Sequence, residues 1–302
     1  MLGIIFSFLA SLFFPGIITR VKSITAGRKG PSLLQPMLDI VKLLRKGNVY
    51  STTTSFIFKL SPVIYFTSVF SVLFLIPFGS NPGIISFDGD FILFAYILCL
   101  GKFMMIIGAL DTGSCFEGMG ASREALYSML VESAFFIIMA SFAMLSGYTS
   151  FSQIFNSMYF ESYLALFAGV LATYTIFQVA MVENSRLPYD DPRTHLELTM
   201  VHEVMILDYS GFELALIQYT SALKFVVFGS IISNFFITPV MPFVLQAAIF
   251  MSVQIFMAIA VGIAESFNAR NKLRNNNKAI IILTPVALLV FFSVLLMLNK
   301  QF

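Results

Sequence analysis

Residues 91–110 read FILFAYILCLGKFMMIIGAL, twenty positions carrying a single charge, Lys102. About twenty apolar residues in a helix cross the ~30 Å hydrocarbon layer of a bilayer. Seven more stretches of this kind lie at about 2–19, 60–78, 125–146, 163–182, 212–236, 241–264 and 279–298. Composition agrees with that reading. The 302 residues are 58% hydrophobic and only 11% charged, with 35 Phe and a mean hydropathy of +0.88, whereas a soluble domain carries roughly 25% charged residues. The expected fold is an all-α integral membrane protein of about eight transmembrane helices, one membrane domain over 1–302. The first twenty residues lack the basic start and small-residue cleavage site of a signal peptide, so they read as a retained span. Trp is absent, which leaves Tyr and Phe for the membrane interfaces.

Charge placement sets the expected orientation. Fifteen of the eighteen Lys and Arg fall in loops 20–59, 111–124, 183–211 and 265–278, and none falls in 79–90, 147–162 or 237–240. By the positive-inside rule the first set faces the cytoplasm, which puts both termini outside it. The chain is thus expected in the cytoplasmic (inner) membrane as a multi-pass protein. Its basic residues are too scattered to form a nucleic-acid groove. Within the first loop, LLQPMLDIVKLLRKG places Met37, Ile40, Val41 and Leu44 at helical spacing, with Asp39, Lys42 and Lys46 opposite. This predicts an amphipathic interfacial helix over about 33–46, with Pro36 in its first turn and Gly47 at its end. It suits two roles equally, an anchor on membrane lipid or a docking strut for a cytoplasmic partner.

Chemistry concentrates in ENSRLPYDDPRTHLELTMVHEVMILDYSGFE, residues 183–213, which hold seven of the sixteen acids and both histidines. Such groups at the edge of a membrane are expensive unless they serve a function. Pro188 and Pro192 bar a regular helix in the first part. From Thr194 a helix is expected, with Glu197 three residues on completing a capping box. His195 and His202 are seven apart, whereas a zinc hydrolase helix needs histidines four apart. No Ser or Cys is set beside a base. Cys99 and Cys115 show no metal spacing, and DTGSCFEGMGAS lacks a phosphate-loop lysine. No catalytic residue, metal site or cofactor is therefore expected in this chain.

What remains is a proton or ion path. Glu132, in YSMLVESAFFIIM, lies about two turns inside the fourth span, and Glu183 ends the fifth. With Glu197, Glu203 and Asp208 they are expected to line one polar path. His195, His202, Arg186 and Lys224 are the counter-charges. Carboxylates close together in a low dielectric cannot all stay ionised, so the group is expected to hold at least one proton. The plainer alternative for Glu132 is a structural pair with Lys102 or Lys224. Arg28, Lys29, Arg123, Arg186, Asp190, Asp191, Asp111 and Glu117 are expected to form the cytoplasmic docking face. Asp88, Asp90 and Glu161 read as outer-loop charges without a role.

GRKGPSLLQPMLDIVKLL, LDTGSCFEGMGASREALYSMLVE and ENSRLPYDDPRTHLELTMVHEVMILDYSG together resemble the large membrane-anchor subunit of energy-converting NiFe hydrogenases. That group comprises the membrane-bound, hydrogenase-4 and formate hydrogenlyase types, and is homologous to the quinone-site membrane subunit of respiratory complex I. The resemblance covers roughly 20–270. Arg123 and Glu132 keep the Arg-to-Glu separation of the complex I relatives. Glu183, Arg186, Pro188-Tyr189-Asp190, Glu197 and Asp208-Tyr209-Ser210-Gly211 match their loop in order. The wording His-Leu-Glu-Leu-Thr-Met-Val-His-Glu favours the hydrogenase branch. The resemblance implies a non-redox subunit that docks hydrogenase-type large and small subunits, whose NiFe centre and iron–sulfur clusters do the redox chemistry. It implies coupling to antiporter-like membrane subunits that move protons or sodium. A quinone- or sulfur-reducing relative of complex I is the nearest alternative, and a stand-alone ion transporter is the alternative of a different class.

Overall fold

In hydrocarbon a backbone amide has no water to bond, so an apolar stretch must satisfy itself as helix. The eight stretches do so over most of their length. The computed structural model describes residues 2–157, 163–190, 200–269 and 273–300. Among the described residues the helices are α1 (Leu2–Thr25), α2 (Gln35–Leu44), α3 (Phe56–Val72), α4 (Asp90–Asp111), α5 (Cys115–Ser146), α6 (Phe151–Ser157), α7 (Tyr163–Glu183), α8 (His202–Met205), α9 (Gly211–Asn234), α10 (Phe243–Phe267), α11 (Leu273–Ile281) and α12 (Leu283–Lys300). Seven spans are long and apolar enough to cross, with α11 and α12 sharing the last, Asn275–Asn299. The shorter apolar α3 makes the eighth.

The most buried span is α9, ringed by α1, α3, α7 and α10. The α4 helix packs on α3 and α5, while α12 closes the far side against α5 and α7. The core between them is built from side chains such as Phe14, Phe94, Ile138, Phe142 and Phe225.

Three boundaries differ from expectation, each for a local reason. The apolar pattern predicts the second span at 60–78, but the helix runs Phe56–Val72. Ser55 accepts from Ile57 N and is itself held by Asp111, which starts the helix early. Leu73 to Phe78 then turn back as a buried apolar segment, where Pro77 cannot continue a helix. The last span breaks at Ile282, three residues before Pro285, whose ring bars the preceding turn. In the 183–211 loop the expected helix from Thr194 lies mostly in 191–199, outside the described residues. Its described end is not continuous helix: Met200 has no regular structure and α8 begins only at His202. The interfacial helix forms as α2, with Pro36 in its first turn and Ile40 buried. Leu44, placed on the inward face by the sequence, is exposed.

Candidate functional site

The site begins where α7 ends. Asn184 folds back to donate to Ala180 O at 2.9 Å, and Ser185 adopts a left-handed φ of 50°. Both Tyr189 N and Asp190 N then donate to Arg186 O. This reversal leaves Glu183 facing into the bundle, with 8% of its surface exposed.

Around it the neighbouring spans supply alternating charges. Lys102 of α4 lies 3.0 Å from Glu183 and 3.0 Å from Glu124 of α5. Lys224 of α9 bonds the same Glu183 carboxylate oxygen, Oε2, that Lys102 approaches, and at 3.2 Å also the Glu183 carbonyl oxygen. The order Glu124–Lys102–Glu183–Lys224 thus sums to zero charge, with each of the four residues at most 8% exposed. Removing an ion from water costs several kcal/mol, and such pairing offsets it. Ser128 and Ser185 hydroxyls add contacts at 3.4 Å to Glu183 and Glu124.

Glu132 sits two turns beyond Glu124 on α5. It shares with Glu183, Ser128 and Cys99 the lining of a cavity of about 30 Å³ between α4, α5, α7 and α9. That volume suits one or two waters, with several polar groups to hold them. Among the described residues Glu132 makes no ion pair within 4.0 Å, although Lys102 and Lys224 act on it from further off.

The loop covers the end of this cluster that lies beyond α7. The buried Asp190 carboxylate accepts from Val201 N at 3.3 Å and His202 N at 3.0 Å. These contacts fix where α8 starts. Burial pushes the His202 imidazole below its usual value, against the opposing pull of Glu124. Arg123 donates to Met200 O at 3.1 Å, holding the returning chain to α5. Arg186 pairs with Glu265 of α10 at 3.1 Å, and Lys22 of α1 bonds the second oxygen of Glu265 at 2.7 Å. That clamp joins the loop to two spans.

Of the expected path residues, Glu132, Glu183 and Lys224 meet in the membrane, and His202 lies above them. Glu203 is half-buried in α8 and Asp208 is exposed further along. Glu197 and His195 lie outside the described residues, as does Asp191. Of the expected docking residues that are described, only Arg28 and Lys29 are openly exposed. Asp190 is buried, Arg123 and Arg186 are engaged internally, and Asp111 holds Ser55. Glu117 is buried beside Thr112 and Asp208. These side chains build the loop rather than display it. Asp90 is wholly buried, accepting from Phe151 N and Ser150 at the start of α6. Sequence reasoning missed Glu124 and Glu265. For Glu124 a signal existed, since residues 124, 128 and 132 repeat at four-residue spacing along one helix face. For Lys102 and Glu265 only the fold reveals the partners. Among the described residues no group of three or more His, Cys, Asp or Glu is placed to hold a metal ion.

Comparison with known proteins follows this geometry. Residues 1–295 match the family model described as NADH dehydrogenase. The chain is 30% identical over 224 residues to hydrogenase-4 component C of Escherichia coli K12, covering 74% of this chain and 70% of that one. It is 29% identical over 208 residues to formate hydrogenlyase subunit 4 of the same organism, covering 68% and 67%. It is 28% identical over 222 residues to a subunit of the NADH-quinone oxidoreductase of Rubrobacter xylanophilus, covering 72% and 66%. A chain of the membrane-bound sulfane sulfur reductase, an archaeal respiratory membrane complex, has the same fold, with a TM-score of 0.80 over 96% of both chains at 18% identity.

Proposed function

This chain belongs to the NADH dehydrogenase family, and on that premise we propose that it is the non-redox membrane subunit of an energy-converting hydrogenase complex. In this reading it docks an arm of hydrogenase-type large and small subunits, which carry the NiFe centre and iron–sulfur clusters. It passes their redox event to antiporter-like membrane subunits, and the ion moved is a proton or sodium. The similarity to hydrogenase-4 component C and formate hydrogenlyase subunit 4 supports the hydrogenase branch. In this reading the chain lies in the inner membrane with both ends outside the cytoplasm, opposite the basic loops, which a reporter fused after Phe302 would read.

The observation that carries the proposal is the buried Glu124–Lys102–Glu183–Lys224 chain, with Glu132 one small cavity away. Three acids and two bases leave one negative charge in excess, so the group holds a proton that can change place. A shift of the loop at Asp190 and His202 alters the field at Glu124 and so relocates that proton. Glu132→Gln should leave the complex assembled and its chemistry with an artificial donor intact, while abolishing coupled ion movement. Coupling that survives this substitution removes Glu132 from the path. Neutralising the exposed Arg28 and Lys29 should lower recovery of the assembled complex, each charge also contributing about 1 kcal/mol of attraction to anionic lipid. Unchanged recovery would count against docking at that segment.

A second reading, a quinone-reducing complex, draws on the identity to the NADH-quinone oxidoreductase relative. The partner large subunit decides between the two: four cysteines placed to bind Ni and Fe mean a hydrogenase.

A further inference from the structure

At the end of the bundle away from Glu183 lies a second polar feature that the relay does not use. The start of α1, the 73–84 segment, the end of α9 and the start of α10 enclose a pocket of about 530 Å³. Two amide side chains shape it, Gln246 in its wall and Asn234 behind it, holding the 77–79 backbone. Asn234 donates to Pro77 O and accepts from Gly79 N, while Gln246 bonds Ser80 and donates to Met241 O. Ser7, Asn81 and Ser230 add polar lining, and no charged residue takes part. The remaining wall is apolar, with Ile4, Leu73, Ile76 and Phe243 among it, but the volume has room for on the order of fifteen waters and the Ser, Asn and Gln side chains offer them partners.

The pocket reaches inward to Phe250, seven residues or about 10 Å along α10. One turn deeper on the same face is Gln254, only 2% exposed. Its Nε2 donates to Val226 O at 3.1 Å, the same carbonyl that receives Ser230 Oγ at 2.7 Å. Its Oε1 has no hydrogen-bond partner among the described residues. Gly229 makes room for this amide, since a Cβ there would lie 2.4 Å from Oε1. A buried amide oxygen is rarely left unbonded, and the Ser230 side of the pocket is the nearest polar space from which a donor could reach it.

Between Gln254 and the charged cluster the lining turns apolar. On α10 the same face continues as Ala258 and Val261, both fully buried. On α9 it is Phe225, stacked on Phe14 of α1 with ring centres 5.1 Å apart. Phe225 directly follows Lys224, and the Arg186 guanidinium lies 5.3 Å over its ring. Ser230 is six residues from Lys224, about 9 Å along α9.

We propose that this pocket is a hydrated vestibule, and that with Gln254 it forms an outward-facing proton half-path of this chain, closed from Lys224 by the Phe14–Phe225 pair. A short apolar constriction of this kind blocks conduction by excluding water. The vestibule is argued from the pocket itself, and only its connection to Lys224 rests on the proposed relay.

The test uses the assembled complex in sealed vesicles of each orientation and a charged, membrane-impermeant methanethiosulfonate, with labelling of Cys99 and Cys115 in the parent subtracted. Asn81→Cys marks the rim and Val170→Cys on α7 marks the hydrocarbon face. Ser230→Cys and, on the opposite wall, Ser7→Cys should react at least about tenfold faster than Val170→Cys, because only a wet thiol forms the reactive thiolate. They should do so only from the side that labels Asn81→Cys. Labelling of Asn81→Cys without either wall position, or labelling from the other side, overturns the vestibule. Separately, Phe14→Ala or Phe225→Ala should raise passive proton leak at least about tenfold by wetting the constriction. An assembled complex with the parent's leak overturns the connection to Lys224. Neither readout depends on whether Glu132 couples, so the half-path and the relay fail independently.

Discussion

Removing both partners of the Glu183–Lys224 contact should cost no more than removing one. Lys224 is 1% exposed and bonds the Glu183 carboxylate and carbonyl. Lys224→Met leaves Glu124 and Glu183 to share Lys102, one uncompensated negative charge in the membrane. Breaking a buried pair from one side costs ~3–5 kcal/mol, and the surviving Lys102 contact at 3.0 Å puts this near ~3. Glu183→Gln leaves Lys224 with only a carbonyl while Lys102 keeps Glu124, again ~3 kcal/mol. In the double variant Lys102 and Glu124 remain a neutral pair and no charge is stranded. Its loss should therefore be ~3 rather than ~6 kcal/mol, a coupling of ~3 kcal/mol at the upper end for contacting residues. Reversible denaturation of the purified chain in bicelles, titrated for all four variants, measures the cycle. Additivity within ~0.5 kcal/mol would refute the direct contact and with it the alternating charge order.

Two further outcomes follow from the loop. The fold depresses the His202 pKa below its ordinary 6.5, so its stabilisation is present above that value and is lost as pH falls through the folded pKa. Amide exchange over 200–206, corrected for the intrinsic rate, should accelerate on acidification below about 6.5, and His202→Gln should abolish that pH dependence. Asp190→Ala strips the acceptor from Val201 N and His202 N. It should cost ~2 kcal/mol and expose 200–206 to limited proteolysis, whereas protease resistance equal to the parent's would deny Asp190 that role.

The spans were legible because hydrocarbon leaves a chain almost no alternative to helix, and twenty apolar residues say so without help from context. Their ends were not, because ends depend on contacts. Ser55 starts α3 through Asp111, fifty-six residues away, and no local pattern records that. The 73–78 segment is as apolar as a span yet leaves the helix at Val72, since burial against α1 and α10 satisfies it equally well. At the site, isolated charges such as Glu132, Lys102 and Lys224 announced themselves by their apolar surroundings. Glu265 did not, because it borders a charged loop where an acid is unremarkable in sequence, and Glu124 showed itself only by its four-residue spacing from Ser128 and Glu132. The docking face was overdrawn for the same reason. A loop dense in charge reads as solvated, but Arg186 and Arg123 spend their charge on holding the loop to the bundle, and Asp190 spends its own on the loop's backbone.

The internal use of those charges bears on how a signal enters the membrane. At an effective dielectric near 20, two unit charges 3.0 Å apart attract by about 5 kcal/mol. Protonating Glu183 forfeits its attraction to both lysines, whereas protonating Glu132, which pairs with neither, forfeits no such contact. The excess proton of the proposed relay therefore rests with Glu132 until something draws a lysine away from Glu183. Lys102 is the one lysine shared with Glu124, the acid nearest the loop and the strongest charge acting on His202. A partner that shifts α8 changes what Glu124 offers Lys102, and so changes whether Glu183 or Glu132 keeps the proton. A loop displayed on the surface would need a separate transmission element to do this. In the proposed relay a loop folded onto the cluster is that element.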